Sequence, residues 1–263
     1  RFVETSNYAF DNTSYNYKFI RNNKHQLEEI IIKDSNNANI INTNYELDSL
    51  NRISHQVIKL GSLEICNEYN YLKQDENSLD LISEEVTKIK TTKNNVISYG
   101  LDTNSYKYDV NGNIISIIND DYQIRYQYDK CNRLIREDNQ KIKLTKLYNY
   151  DDGGNLLFVK ECSYTLDDNV IVNNLTTFEY EKNGWKDQLI KFNDKEITYD
   201  NRGNIIQLGN IILNWNELNQ LTECGDNAFA YDITGKRLTK NNTTYFYDGN
   251  RLLREKNGNN EII

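Results

Sequence analysis

Residues 106–115 read Tyr106-Lys107-Tyr108-Asp109-Val110-Asn111-Gly112-Asn113-Ile114-Ile115, and variants of this string recur along the chain. Tyr126-Gln127-Tyr128-Asp129-Lys130-Cys131-Asn132-Arg133-Leu134 is one, and Tyr148-Asn149-Tyr150-Asp151-Asp152-Gly153-Gly154-Asn155-Leu156 is the next. Further copies carry Tyr199-Asp200 with Gly203, Tyr231-Asp232 with Gly235, and Tyr245-Phe246-Tyr247-Asp248 with Gly249; a degenerate copy is built on Trp215. In the first hundred residues, Tyr45-Glu46-Leu47-Asp48 through Arg52-Ile53 fits well. Tyr8-Ala9-Phe10-Asp11-Asn12 fits only the front half, and Tyr15-Asn16-Tyr17 and Tyr69-Asn70-Tyr71 keep only the aromatic pair. The aspartates at 109, 129 and 151 stand 20 and 22 residues apart, and those at 232 and 248 stand 16 apart. Such a period is too short for a propeller blade and suits one hairpin per repeat.

Each position has a physical role. Tyr-x-Tyr sets two rings on one face of a strand, because strand side chains alternate. The aspartate ends the strand, and its carboxylate can accept from a backbone N–H two residues on. Glycine or asparagine late in the turn supplies a positive φ at low cost. Pairs such as Ile114-Ile115, Leu134-Ile135 and Leu252-Leu253 begin the return strand, where aromatic–aliphatic cross-strand pairs contribute roughly 0.2–1 kcal/mol each. One hairpin alone is marginal, so stability has to come from stacking many. The expected fold is all-β: repetitive antiparallel hairpins forming a curved or spiralling sheet. The repeats are degenerate over 1–98 and clearer over 99–263, with no break between.

Composition supports a folded β protein with a thin core. The 263 residues include 20 Tyr, 8 Phe and 2 Trp, with a formal net charge of −8. Disordered chains are poor in aromatics. Basic residues are scattered, so no nucleic-acid surface is expected. No apolar run reaches the ~18 residues of a spanning helix, and none resembles a signal peptide. The chain starts at Arg1 and contains no Met, which reads as a piece of a longer protein. Abundant Asn, Ile, Lys and Tyr without proline are read as the codon usage of an AT-rich genome. Asn77 to Lys90 offers a passable helical face at Leu81, Ile82, Val86 and Ile89. A hairpin of Val86–Thr92 and Val96–Leu101 about Lys93-Asn94-Asn95 is preferred.

The pattern Tyr-x-Tyr-Asp-x-x-Gly-Asn/Arg-Leu/Ile resembles the YD repeat of the Rhs family, strongly over 99–160 and 195–256 and weakly elsewhere. Several ordered copies make the resemblance specific. It implies a segment of a secreted or surface-exposed bacterial protein whose spiralling β-sheet forms part of a shell around a C-terminal toxin domain. The partner is then the rest of the same polypeptide, and this segment is non-enzymatic. The family's downstream core is not visible in these residues, so no processing residue is carried over.

Candidate chemistry is sparse. The turn residues Asp48, Asp109, Gly112, Asp129, Asp151, Gly154, Asp200, Gly203, Asp232, Gly235, Asp248 and Gly249 are expected to be structural. So are the aromatics Tyr45, Tyr106, Tyr108, Tyr126, Tyr128, Tyr148, Tyr150, Tyr199, Trp215, Tyr231, Tyr245 and Tyr247. Cys66, Cys131, Cys162 and Cys224 lack paired spacing and are read as free thiols. His25 and His55 have no recognisable partners for a metal or a triad. Asp109-x-Asn111-Gly112-Asn113 departs from calcium-loop spacing. Asp120-Asp121, Asp151-Asp152 and Asp167-Asp168 are acidic pairs without a defined cleft. No catalytic residue, metal or cofactor is expected. Sequons at Asn12, Asn174, Asn241 and Asn242 are chance products of an Asn-rich chain. The rival reading is an adhesion module whose exposed aromatics, including Trp185, bind carbohydrate or a partner protein.

Overall fold

A computed structural model describes residues 2–10, 13–74, 77–93, 96–258 and 260–262. Asp11 and Asn12 of the first weak repeat, the Asn12 sequon, and Asn94-Asn95 of the anticipated hairpin turn lie outside them. The described residues form 24 β-strands and no helix. Asn77–Lys93, the stretch with the helical face, is a 17-residue strand paired antiparallel with Val96–Tyr108. The fold is all-β and built from antiparallel hairpins.

Contacts divide the chain into two compact units, residues 1–145 with 163–170 and residues 146–162 with 171–263. The sequence boundary at 98/99 falls inside the strand Val96–Tyr108.

In the first unit, strands from Phe2–Phe10 to Leu134–Asn139 pair antiparallel with their neighbours in sequence. They are long, and many residues are paired on both sides: Ile41 to Asn44 face Ile32 to Glu29 on one flank and Leu60 to Val57 on the other.

The second unit is more regular. A strand of five (Lys195–Tyr199), a five-residue turn, a strand of four (Ile205–Leu208) and a two-residue turn complete one repeat of 16. The same four parts recur with Ile211–Trp215 and Leu221–Cys224, then with Asn227–Tyr231 and Arg237–Lys240. Each five-residue strand is handed from one partner to the next. Lys195 and Glu196 pair backward with Phe192 and Lys191, whereas Ile197 to Tyr199 pair forward with Leu208 to Ile205.

Few side chains are fully buried. The apolar ones are Ile20, Ile124, Cys162, Ile197 and Leu253, and most of the rest are half-covered. That is how a chain of low hydropathy folds here: sheet ladders and turn hydrogen bonds satisfy the backbone, and half-buried rings supply the apolar contact.

Candidate functional site: aspartate turns and aromatic clasps

Among the described residues, nine turns share one hydrogen-bond pattern, beginning at Asn22, Asp34, Asp48, Asp109, Asp129, Asp151, Asp200, Asn216 and Asp232. At Asp200 the parts are explicit. Its N–H donates to the Asn204 carbonyl at 2.9 Å, and the Gly203 N–H donates back to the Asp200 carbonyl at 3.1 Å. Its Oδ1 accepts from the N–H groups of Arg202 and Asn204 at 2.8 and 2.9 Å, and its Oδ2 from Asn204 Nδ2 at 2.9 Å. The fourth residue of each turn has a positive φ: Gly112, Gly154, Gly203 and Gly235, but also His25, Asn37, Asn51, Asn132 and Asn219.

The first and fifth side chains are matched as donor and acceptor. Where the first is aspartate, the fifth often donates: Arg52, Asn113, Arg133, Asn155 and Asn204. Where it is asparagine, the fifth is glutamine and the roles reverse, with Asn22 donating to Gln26 at 2.7 Å and Asn216 to Gln220 at 2.6 Å. Neighbouring turns also touch. Asn113 Nδ2 reaches Asn132 Oδ1 at 2.9 Å, and Asn204 Nδ2 reaches Asn219 Oδ1 at 3.0 Å.

These contacts hold six carboxyls below the usual range. The Arg52 side chain does most at Asp48, the Asn113 amide at Asp109 and the Arg133 N–H at Asp129. Asn155, Asn204 and Thr234 play that part at Asp151, Asp200 and Asp232. A carboxylate filled by its own turn has little left for a cation. Among the described residues, no group of three or more His, Cys, Asp or Glu is arranged to hold a metal.

Beside the turns runs a β-bulge. Tyr108 pairs with Ile114, Tyr128 with Leu134, Tyr199 with Ile205 and Trp215 with Leu221, each at a register shift. The carbonyl at the bulge is then met by an aromatic of a later strand. Tyr71 Oη donates to Ile53 O at 2.9 Å, Tyr108 to Ile82 O at 2.7 Å and Tyr128 to Ile114 O at 2.9 Å. In the second unit, Tyr199 Oη donates to Leu189 O at 2.6 Å and Trp215 Nε1 to Ile205 O at 2.7 Å. Bulges disrupt the ladder locally, and these donors clasp the backbone there. Burial raises the hydroxyl pKa of Tyr71, Tyr108, Tyr128 and Tyr199. Tyr106, beside Glu85, is pushed up to about 12 by burial and that carboxylate.

Tyr45, Tyr126, Tyr148, Tyr150, Tyr231, Tyr245 and Tyr247 are half-buried on their strands. Asp248 and Gly249 depart from the other turns. Asp248 pairs with Arg251 and Tyr247 with Leu252, so only Gly249 and Asn250 bridge the strands. This loop is one residue shorter, and Gly249 takes its positive φ, 53°, at the second position.

No protein-family model matches the chain. It is 31% identical over 148 residues to the tRNA3(Ser)-specific nuclease WapA of Bacillus spizizenii and 30% identical over 148 residues to the tRNA nuclease WapA of Bacillus subtilis. Each match covers 51% of this chain and 6% of the relative. Among solved structures, the Photorhabdus luminescens Tc holotoxin pore superposes with a TM-score of 0.51 at 16% identity, over 94% of this chain and 14% of that one. These similarities support the resemblance to the Rhs/YD-repeat family. The chain spans only 6% of the length of each nuclease and 14% of the Tc holotoxin chain.

The repeat pattern gives no sign of a buried polar cluster in the first unit. Arg136 and Asp138 are 5% and 3% exposed, and Nε of Arg136 donates to both Asp138 oxygens at 2.9 and 3.0 Å. Arg136 also donates to the Thr165 and Asp167 carbonyls at 3.0 Å, and its guanidinium lies 3.3 Å from Asp168. Thr145, fully buried, contacts Asp138 Oδ1 at 2.9 Å and accepts from the Thr165 N–H at 3.1 Å. The cluster fastens residues 163–170 onto the unit. Alternation placed Arg136 and Asp138 on one strand face, but nothing local marked that face as covered.

The four cysteines are free thiols; Cys162 is buried and Cys131 exposed. His25 stacks on Phe2 with centroids 4.1 Å apart, and His55 lies 3.7 and 3.9 Å from Glu46 and Glu68.

Proposed function

We propose that this segment is a non-enzymatic piece of wall in a secreted or surface-exposed bacterial Rhs protein, where it helps enclose a toxin domain carried downstream in the same polypeptide. The turn aspartates and glycines and the paired aromatics serve that wall structurally. The observation that supports this reading is the inward use of the functional groups. Turn carboxylates are filled by their own backbone, and five aromatic donors are closed onto carbonyls. Residues consumed in this way build a barrier and leave little for binding or catalysis.

The test is protease protection in the parent polypeptide. A downstream domain held behind the wall resists digestion in the intact protein and becomes sensitive once Tyr128→Ala and Trp215→Ala open it. Equal digestion of the downstream domain in the two proteins would overturn the proposal. The adhesion reading makes a different forecast for a glycan array, namely specific sugar binding that is lost with Trp185→Ala.

A further inference from the structure

Of the 20 tyrosines, Tyr99 alone is exposed rather than half-buried, at 76%. It lies in Val96–Tyr108, a strand whose flanks are unequal. Residues 96–105 pair with the preceding strand without a register shift. On the other flank, the strand Ile114–Ile118 pairs only with Ser105 to Tyr108. Among the described residues, no strand covers that flank from Val96 to Leu101.

The direction of the open groups follows from one contact. Asn119, just past Ile114–Ile118, donates Nδ2 to the Thr103 carbonyl at 2.9 Å, so Thr103 points its backbone to the uncovered flank. In an antiparallel pair, successive residues alternate between flanks. Ile97, Tyr99 and Leu101 therefore present their N–H and C=O groups outward. Their side chains also share one face, and they are 48%, 76% and 67% exposed.

We propose that this edge is a self-association surface that takes the same edge of a second copy of the chain, antiparallel about Tyr99. The sequence is self-complementary in that register. Tyr99 meets Tyr99, Ile97 meets Leu101, and every such pair closes with two hydrogen bonds. Val96 to Leu101 contain no formal charge and no proline, so the usual devices that blunt an edge strand are missing. Charge also favours a copy over a charged partner. Lys90, across from Tyr99, is flanked by Glu64 on its other side, and Lys88 is paired to Glu68. The Lys90 side chains of two copies would sit three strand spacings apart, about 14 Å, beyond the ~8 Å screening length at physiological salt. Asn119 bounds the surface by occupying the edge at Thr103.

Sedimentation velocity of the full chain across micromolar concentrations tests this. A reversible dimer is expected, tighter at higher salt because each copy carries −8. Tyr99→Lys with Leu101→Lys weakens it roughly a hundredfold through like charges set side by side, with an unchanged far-ultraviolet spectrum. Paired residues here stand ~5.5 Å apart at Cα, within disulfide reach. In a Cys131→Ser background, Tyr99→Cys therefore cross-links two copies on oxidation and Ser98→Cys does not. A chain that stays monomeric, a dimer indifferent to the two lysines, equal cross-linking at 98 and 99, or open-ended polymers built on the free flank of Phe2–Phe10 would each overturn the proposal.

Discussion

Trp215 Nε1 donates to the carbonyl of Ile205 at 2.7 Å, in the place where Tyr199 Oη, 16 residues earlier, reaches the carbonyl of Leu189 at 2.6 Å. An indole and a phenol thus act alike, since each carries a donor at the far end of a flat ring. Removing the donor while keeping the ring isolates its contribution. Tyr128→Phe does this and is expected to lose about 1 kcal/mol, the net value of a half-buried hydrogen bond, whereas Trp215→Phe also shrinks the ring and should lose more. Trp215→Tyr, which restores a donor, should lose less. Urea unfolding of the three variants decides the order.

The turn glycines offer a second test. Gly203 sits at φ 85°, and Asn219 occupies the equivalent place at φ 57°. Gly203→Asn should therefore be nearly neutral. Gly203→Val should cost about 1–2 kcal/mol, because a branched residue is strained in the left-handed region. Comparing the unfolding midpoints checks the difference.

Donor matching within a turn can be swapped. Asp200→Asn alone sets two amide NH2 groups of the turn, at 200 and 204, against each other. Adding Asn204→Gln recreates the arrangement found at Asn216 and Gln220. The double variant is expected to protect the Arg202 and Asn204 amides from hydrogen exchange better than the single one. Additive effects would show that the two side chains are not coupled.

Acid acts on six of the aspartate turns together. The folded pKa values of Asp48, Asp109, Asp129, Asp151, Asp200 and Asp232 are lowered. Their contribution is therefore present above the unfolded value of about 3.9 and is lost as pH falls through the folded values. At the alkaline end, the folded pKa of Tyr106 is raised to about 12. Its contribution is full below about pH 10 and lost as pH rises toward the folded value. Thermal unfolding followed against pH should show both declines. Asp48→Asn with Arg52→Gln should reduce the acid one.

The buried pair makes the sharpest stability forecast. Arg136→Met leaves Asp138 buried without its guanidinium and is expected to cost about 3–5 kcal/mol. Asp138→Leu added to it should recover much of that loss. Unfolding of the first unit, followed by hydrogen exchange at Thr165, separates these outcomes.

Most of the hairpin architecture was legible because the repeat is written in residues with strong local roles. Asp109, Asp129, Asp200 and Asp232 each precede a positive-φ position by three, and that spacing alone specifies the turn. The turns at Asn22 and Asp34 escaped notice because no Tyr-x-Tyr announces them; the turn needs an Asx side chain, not the rings. At Asp248 the aromatic signal was present, but the loop is one residue short, and length selected another turn. The aromatic clasps were hidden for another reason. Tyr128 and Ile114 meet across strands whose register depends on a bulge, and a bulge has no signature in one strand's sequence. Arg136 and Asp138 were illegible because burial there depends on residues 163–170 returning from elsewhere in the chain.

The clasps run backward along the polypeptide: Tyr71 closes on Ile53, Tyr128 on Ile114 and Trp215 on Ile205. Each hairpin is thus fastened by the one made after it and needs nothing still unsynthesised beyond that. A chain leaving a ribosome or threading a translocation pore can be set down stitch by stitch, with loop closures kept short. Tension applied to the carboxyl end would release the stitches in reverse, last made first undone.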